Sequence, residues 1–142
     1  MPVRNAVAEW KGNLTEGSGS VKLGSGLFES AYSFNGRVED GVGTTPEELI
    51  AAAHASCYAM ALSADLAKAG FTATRLSAKS KVELRVGDAG LRISGIKLVV
   101  EGEVPGIDDA KFQAVAEGTK SGCPVAVALA NVPITLEAKL VG

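Results

Sequence analysis

Between Pro46 and Gly70 the chain runs PEELIAAAHASCYAMALSADLAKAG, and from Glu47 to Ala69 it contains neither proline nor glycine. A stretch of this length and alanine content reads as one long helix. Its start is marked: Thr45 can serve as N-cap, Pro46 fits the first helical position, and Glu48 completes a capping box. Glu47 and Glu48 face the positive end of the helix dipole. Gly70, preceded by Lys68, is a natural C-terminal stop. The constraint on the fold is that this helix is apolar on nearly every side until Ser63 and Asp65. Such a helix has to be enclosed, by a sheet or by a second subunit.

The flanking segments supply strands in blocks. Residues 5–36 read as a meander of about three strands, with turns at Glu16–Ser20 and Gly24–Gly26. Residues 37–44 read as a loop, with Arg37 at the end of a strand. Residues 72–104 alternate as a hairpin: Val82, Leu84 and Val86 on one strand, Ile96, Leu98 and Val100 on the other, with a turn at Gly87–Gly90 and a bulge at Gly95. Asp108 or Asp109 caps a second helix, for which Gly118 is the expected stop after Glu117. A short helix over 124–130 follows Cys123, Pro133 ends it, and Ile134–Val141 alternates as a last strand. Segregated strands and helices favour an α+β fold, and 142 residues suit one domain, 1–142.

Composition removes several classes of function. With a net charge of −2 and no basic stripe, no nucleic acid or anionic membrane partner is expected. The N-terminus lacks the apolar core of a signal peptide, and no apolar run is expected to reach the roughly 20 residues of a membrane span. The expected location is the cytoplasm, where a lasting structural disulfide is disfavoured. With one histidine, His54, two cysteines and no CxxC pair, neither a metal nor another cofactor is expected.

The chemistry therefore rests on few residues. Cys57 sits mid-helix, and Cys123 precedes Pro124 at the entrance of another helix, where backbone N–H groups favour a negative sulfur. A two-cysteine thiol peroxidase needs such a pair: one sulfur attacks the peroxide and the other closes a disulfide. The plainer readings are a small core residue for Cys57 and an incidental turn residue for Cys123. His54, three residues before Cys57, reads as a packed neutral histidine or as the base of a Cys–His hydrolase. Arg37 can hold a thiolate or a peroxide oxygen and Glu47 can orient it; the plainer readings are a solvated loop arginine and the helix N-terminal preference for a carboxylate. A passive module binding a small hydrophobic ligand is the non-enzymatic alternative.

Together Gly43–Ile50 (GTTPEELI), Ala52–Cys57 (AAHASC), Pro105–Asp108 (PGID) and Gly122–Val125 (GCPV) resemble the osmotically inducible protein C and organic hydroperoxide resistance family. Phe34-Asn35-Gly36-Arg37 and His54 lie closer to its osmotically inducible branch. The resemblance implies an intertwined homodimer with antiparallel sheets wrapped around long central helices. It implies an enzyme that reduces organic hydroperoxides, recharged by an external dithiol. Carried over by residue, Cys57 matches the peroxidatic cysteine, Cys123 the resolving cysteine, Glu47 the carboxylate after the Thr-Pro step, and Arg37 the family arginine. An apolar pocket around Cys57, drawn from Tyr58, Met60 and part of Leu62, would then favour alkyl peroxides. A continuous helix separates Glu47 from Cys57 by roughly 15 Å of rise. Either Arg37 bridges that span, or the helix breaks near 51–56, or two subunits contribute.

Overall fold

The computed structural model describes residues 1–142, which form two compact units, Met1–Leu49 and Ile50–Gly142. In the first, strands β1 (Ala6–Lys11), β2 (Ser18–Leu23) and β3 (Glu29–Tyr32) make an antiparallel meander in the order β1-β2-β3. Arg37 is not at a strand end, as the sequence implied. It lies in a short helix, α1 (Phe34–Val38), whose N-cap Ser33 accepts a hydrogen bond from the Gly36 N–H at 2.9 Å. One hydroxyl-capped turn is enough to form the helix despite Gly36.

Helix α2 runs unbroken from Pro46 to Lys68. Its capping box is half formed. Thr45 Oγ1 accepts from the Glu48 N–H at 3.0 Å, but the Glu48 carboxylate accepts from the Thr44 hydroxyl at 2.8 Å instead of returning to Thr45. The 23-residue helix is apolar and long enough, by length and composition, to cross a membrane, with a mean hydropathy of 1.3 over an 18-residue window. The sequence implies no such run when read for unbroken apolar residues, because His54, Ser56 and Ser63 interrupt it, whereas the average over 18 residues stays high.

The second unit uses α2 as a core element. His54, Tyr58, Leu62 and Leu66, spaced four apart, form one fully buried stripe. The last three pack with Leu98, Val100 and Val104 and with Phe112 and Ala116. Each large side chain so buried stabilises the unit by about 1.5–3 kcal/mol. The Tyr58 hydroxyl donates to the Ala116 carbonyl at 2.9 Å.

That core lies on a sheet of β4 (Arg75–Gly87), β5 (Gly90–Glu103) and β6 (Ile134–Leu140), in the order β4-β5-β6. The β4/β5 hairpin is antiparallel, and its register slips between Glu83/Gly95 and Leu84/Ile93, leaving Ser94 unpaired. This is the bulge that Gly95 signalled. Strand β6 is parallel to β5. The chain leaves β5 at Glu103 and crosses through α3 (Asp109–Lys120) and α4 (Pro124–Ala128), a connection long enough for a parallel return.

Asp108 caps α3 by accepting from the Lys111 N–H at 2.7 Å. The helix does not stop at Gly118. It continues to Lys120 because Thr119 is fully buried, its hydroxyl 2.7 Å from the Asp65 carboxylate. That tertiary bond outweighs the roughly 1 kcal/mol a mid-helix glycine costs.

Gly102 faces α3, and a Cβ there would lie 2.6 Å from the Phe112 ring and 3.2 Å from Leu76. Phe112 is fully buried and has nowhere to move. Gly102→Ala is expected to destabilise the fold by about 1–3 kcal/mol through overpacking, read as a lower urea midpoint.

Candidate active site

The sequence-singled residues assemble into two pairs. Cys57 is one helical step from the buried Tyr58, and so emerges half-buried at the margin of the packed face. Its thiol lies in an open groove of about 530 Å³, with Ala53, Ser56, Met60, Ala64 and Val125 around it. Tyr58 and Leu62, expected in that pocket, belong to the core instead, and only Met60 lines the groove.

Cys123 is the N-cap of α4, its backbone extended at φ −74° and ψ 145°, with Pro124 at the first helical position. Its sulfur is buried and accepts a hydrogen bond from the Ala126 N–H at 3.3 Å. Burial pushes the Cys123 thiol above its ordinary range. The Ala126 N–H pulls the other way, and the neighbouring Cys57 side chain adds to the rise. The fold thus brings together two sulfurs 66 residues apart in sequence, and both are free thiols.

The second pair is Arg37 and Glu47. Arg37 Nε donates to Glu47 Oε1 at 2.6 Å, between a guanidinium about one-third exposed and a carboxylate 8% exposed. The two η nitrogens of Arg37 make no hydrogen bond within the protein, and Glu47 Oε2 is buried without a partner. Because α2 is unbroken, Glu47 and Cys57 are about 15 Å apart along it, and a break near 51–56 is ruled out.

His54 is fully buried, with Nδ1 3.2 Å from Ser80 Oγ and Nε2 unpartnered. Ser80 was missed by sequence reasoning, although a signal existed: it is polar at an inward position of β4, between Ala78 and Val82. No group of three His, Cys, Asp or Glu side chains is arranged to hold a metal.

Fold and site together define an α+β protein with two neighbouring free thiols at two helix positions, one half-exposed and one buried. The model of the OsmC-like protein family matches residues 39–137. The chain is 45% identical over 134 residues to the peroxiredoxin OsmC of Escherichia coli (strain K12), covering 94% of this chain and 93% of that protein, and equally to its Shigella flexneri counterpart. This chain belongs to the OsmC-like protein family.

Among solved structures, the organic hydroperoxide resistance protein OhrB of Bacillus subtilis superposes with a TM-score of 0.75 at 24% identity, over 95% of this chain and 98% of that one. An organic hydroperoxide resistance protein OsmC from Legionella pneumophila gives 0.73 at 21%, over 99% and 100%. These two establish the likeness of fold.

Burial holds the His54 imidazole below its ordinary 6.5. On acidification the unfolded chain takes up a proton near 6.5 and the folded chain does not. The contribution of His54 is therefore present above that value and lost as pH falls below it. The urea midpoint is expected to drop on acidification from pH 6.5, and His54→Gln should flatten that limb.

Proposed function

We propose that this protein is a thiol-dependent peroxidase that reduces organic hydroperoxides to alcohols without a metal or organic cofactor. The observation that carries the reading is the pairing of a half-exposed Cys57 with a buried neighbour, Cys123, whose thiol it influences. In the cycle, the Cys57 thiolate attacks the peroxide oxygen distal to the organic group. The O–O bond breaks, the alkoxide takes a proton and leaves as the alcohol, and Cys57 becomes a sulfenic acid. Cys123 then attacks that sulfur, water leaves, and a Cys57–Cys123 disulfide forms. An external dithiol returns both thiols by exchange and is itself oxidised.

The roles divide by environment. Cys123 is held protonated, so it does not compete for peroxide and reacts once its neighbour is oxidised. Arg37 supplies the positive charge a thiolate or peroxide oxygen needs, and Glu47 fixes its orientation. The apolar groove at Cys57 takes the organic part of the substrate in preference to water. A passive hydrophobic-ligand module has a use for the groove but none for the second thiol. A hydrolase is disfavoured by His54, which is buried against Ser80 on β4.

The two units are read as one OsmC-like domain, since the family match runs across residue 49 from 39 to 137. The working form is read as a homodimer in the cytoplasm. Its support is the outer face of α2, where Ala52, Ala53, Met60, Ala64 and Ala67 are exposed. Small apolar side chains there allow close approach of another helix or sheet.

One equivalent of an alkyl hydroperoxide should remove both free thiols and leave one intramolecular disulfide. Cys57→Ser is expected to abolish turnover, and full activity in that variant would overturn the reading. Cys123→Ser should still release one equivalent of alcohol and then stall as a trappable sulfenic acid.

A further inference from the structure

Between Ala116 and Cys123 the chain has a single buried side chain, that of Thr119. Gly118, Ser121 and Gly122 are exposed, and a Cβ at either glycine would meet nothing closer than 3.7 Å. Neither glycine is there to make room. Both loosen the backbone of residues 118–122, since glycine has the most conformational freedom to lose. The Lys120–Glu117 ion pair at 2.6 Å stays within α3 and ties the segment to nothing else. What anchors this stretch has to come from Thr119.

The Thr119 hydroxyl lies 2.7 Å from Asp65 Oδ2 on α2 and 2.9 Å from the Val115 carbonyl one turn back in α3. It has one proton and faces two acceptors. A carboxylate is the stronger acceptor, so the proton goes to Asp65. From the anchored residue the path to the sulfur is short. The Thr119 carbonyl accepts from the Gly122 N–H at 3.0 Å, and Cys123 follows, its sulfur held by the Ala126 N–H.

Asp65 stands on the same unbroken helix as Cys57, eight residues and roughly 12 Å of rise further on. Helix α2 thus carries the first thiol at one point and, at another, the anchor of the segment that ends in the second. Tyr58 lies between them with its hydroxyl on the Ala116 carbonyl. Burial pushes that hydroxyl's pKa up, and Glu117, Cys123 and Asp65 each add to the rise, as neighbouring negative groups do.

Resting on the peroxidase reading above, we propose that Asp65 and Thr119 are positioning residues for the resolving step: their hydrogen bond holds the turn between α3 and α4 so that Cys123 stays set against an oxidised Cys57. Neither side chain hydrogen-bonds a sulfur. The pair therefore governs disulfide closure and leaves the attack of Cys57 on peroxide unchanged. In that closure Cys123 gives up its proton and its sulfur attacks the Cys57 sulfenic sulfur. The S–O bond breaks, and the oxygen leaves with that proton as water. Cys123 is oxidised and the sulfenic sulfur is reduced, both to the disulfide level.

Reaction of the reduced full-length protein with the aromatic disulfide dithiobis-nitrobenzoate reads the two thiols separately and needs no peroxide. Cys57 attacks the reagent and releases one aromatic thiolate. Cys123 then attacks the mixed disulfide on Cys57 and releases a second. In Thr119→Val the second release is expected to slow about ten- to a hundred-fold, the scale on which a misplacement of roughly 1 Å tells on a positioned reaction, with the first release unchanged. Thr119→Ser keeps the hydroxyl and should restore the second release. Asp65→Ala leaves the buried hydroxyl its Val115 carbonyl and should slow the second release likewise. It keeps the test decisive where Thr119→Val does not fold. A merely structural bond would lower the urea midpoint without separating the two releases. Releases that change together or not at all in the folded variants overturn the proposal, as does failure of Thr119→Ser to restore closure.

With an alkyl hydroperoxide, Thr119→Val should release the first equivalent of alcohol at the normal rate and accumulate a sulfenic acid that dimedone traps. If the unmodified protein consumes no hydroperoxide, the peroxidase reading fails, and the two-step release still decides whether Asp65 and Thr119 position Cys123.

Discussion

The burial of one face of α2 is the constraint on which the second unit depends. His54, Tyr58, Leu62 and Leu66 share a four-residue spacing, and all four are fully buried. A four-residue step advances 400° round a helix, so the stripe drifts only slowly and can stay against the sheet for three turns. Cys57 is 100° from Tyr58, and its position follows from that. It is too far round to be packed away with the core and too near to be fully exposed. The same stripe is tied to α3, the helix that precedes Cys123, by the Tyr58–Ala116 hydrogen bond.

The two sulfurs meet in unlike surroundings, and the contrast decides what each can do. An N-cap position alone would lower the pKa of a cysteine, since the dipole and a free N–H both favour a thiolate. Cys123 has both features and its pKa is nevertheless raised. Desolvation is the largest influence on it, and the neighbouring sulfur works in the same direction. The helix is also only five residues long, which limits its dipole. The N-cap sulfur thus serves Ala126 as an acceptor while remaining a protonated thiol. A buried thiol next to a half-exposed one is suited to closing a bond after oxidation and poorly suited to meeting a substrate first.

Much of the fold could be read along the chain where local chemistry was decisive. The Thr45 cap, the Asp108 cap and the alternation of β4 and β5 all rest on neighbours a few residues apart. What could not be read depended on distant partners or on missing contrast. Gly118 stops no helix because Thr119 finds Asp65, 54 residues away. The direction of β6 depends on the path of α3 and α4. Tyr58 and Leu62 read equally well as groove residues because an all-round apolar helix carries no periodic mark of which side meets the sheet. The site residues were located from the sequence through a family resemblance. The cross-strand row of Trp10, Gly19 and Tyr32 is invisible without the register of two strand pairs.

The Arg37–Glu47 pair shows why these two side chains are not ordinary surface charges. A carboxylate 8% exposed has lost most of its hydration, and one of its oxygens has no partner. Burying a charge is unfavourable unless it is paired and hydrogen-bonded, and removing the partner of such a charge costs about 3–5 kcal/mol. Glu47 is therefore committed to Arg37, and the commitment is made through Nε. A guanidinium held at Nε cannot rotate freely, and its terminal nitrogens remain without a hydrogen-bond partner in the protein. Lysine in its place could match the charge but not this geometry, since a single ammonium cannot be gripped at one nitrogen while presenting two others. The unsatisfied polar atoms of the first unit thus gather at this ion pair, beside a notch lined by Trp10, Tyr32 and Phe34.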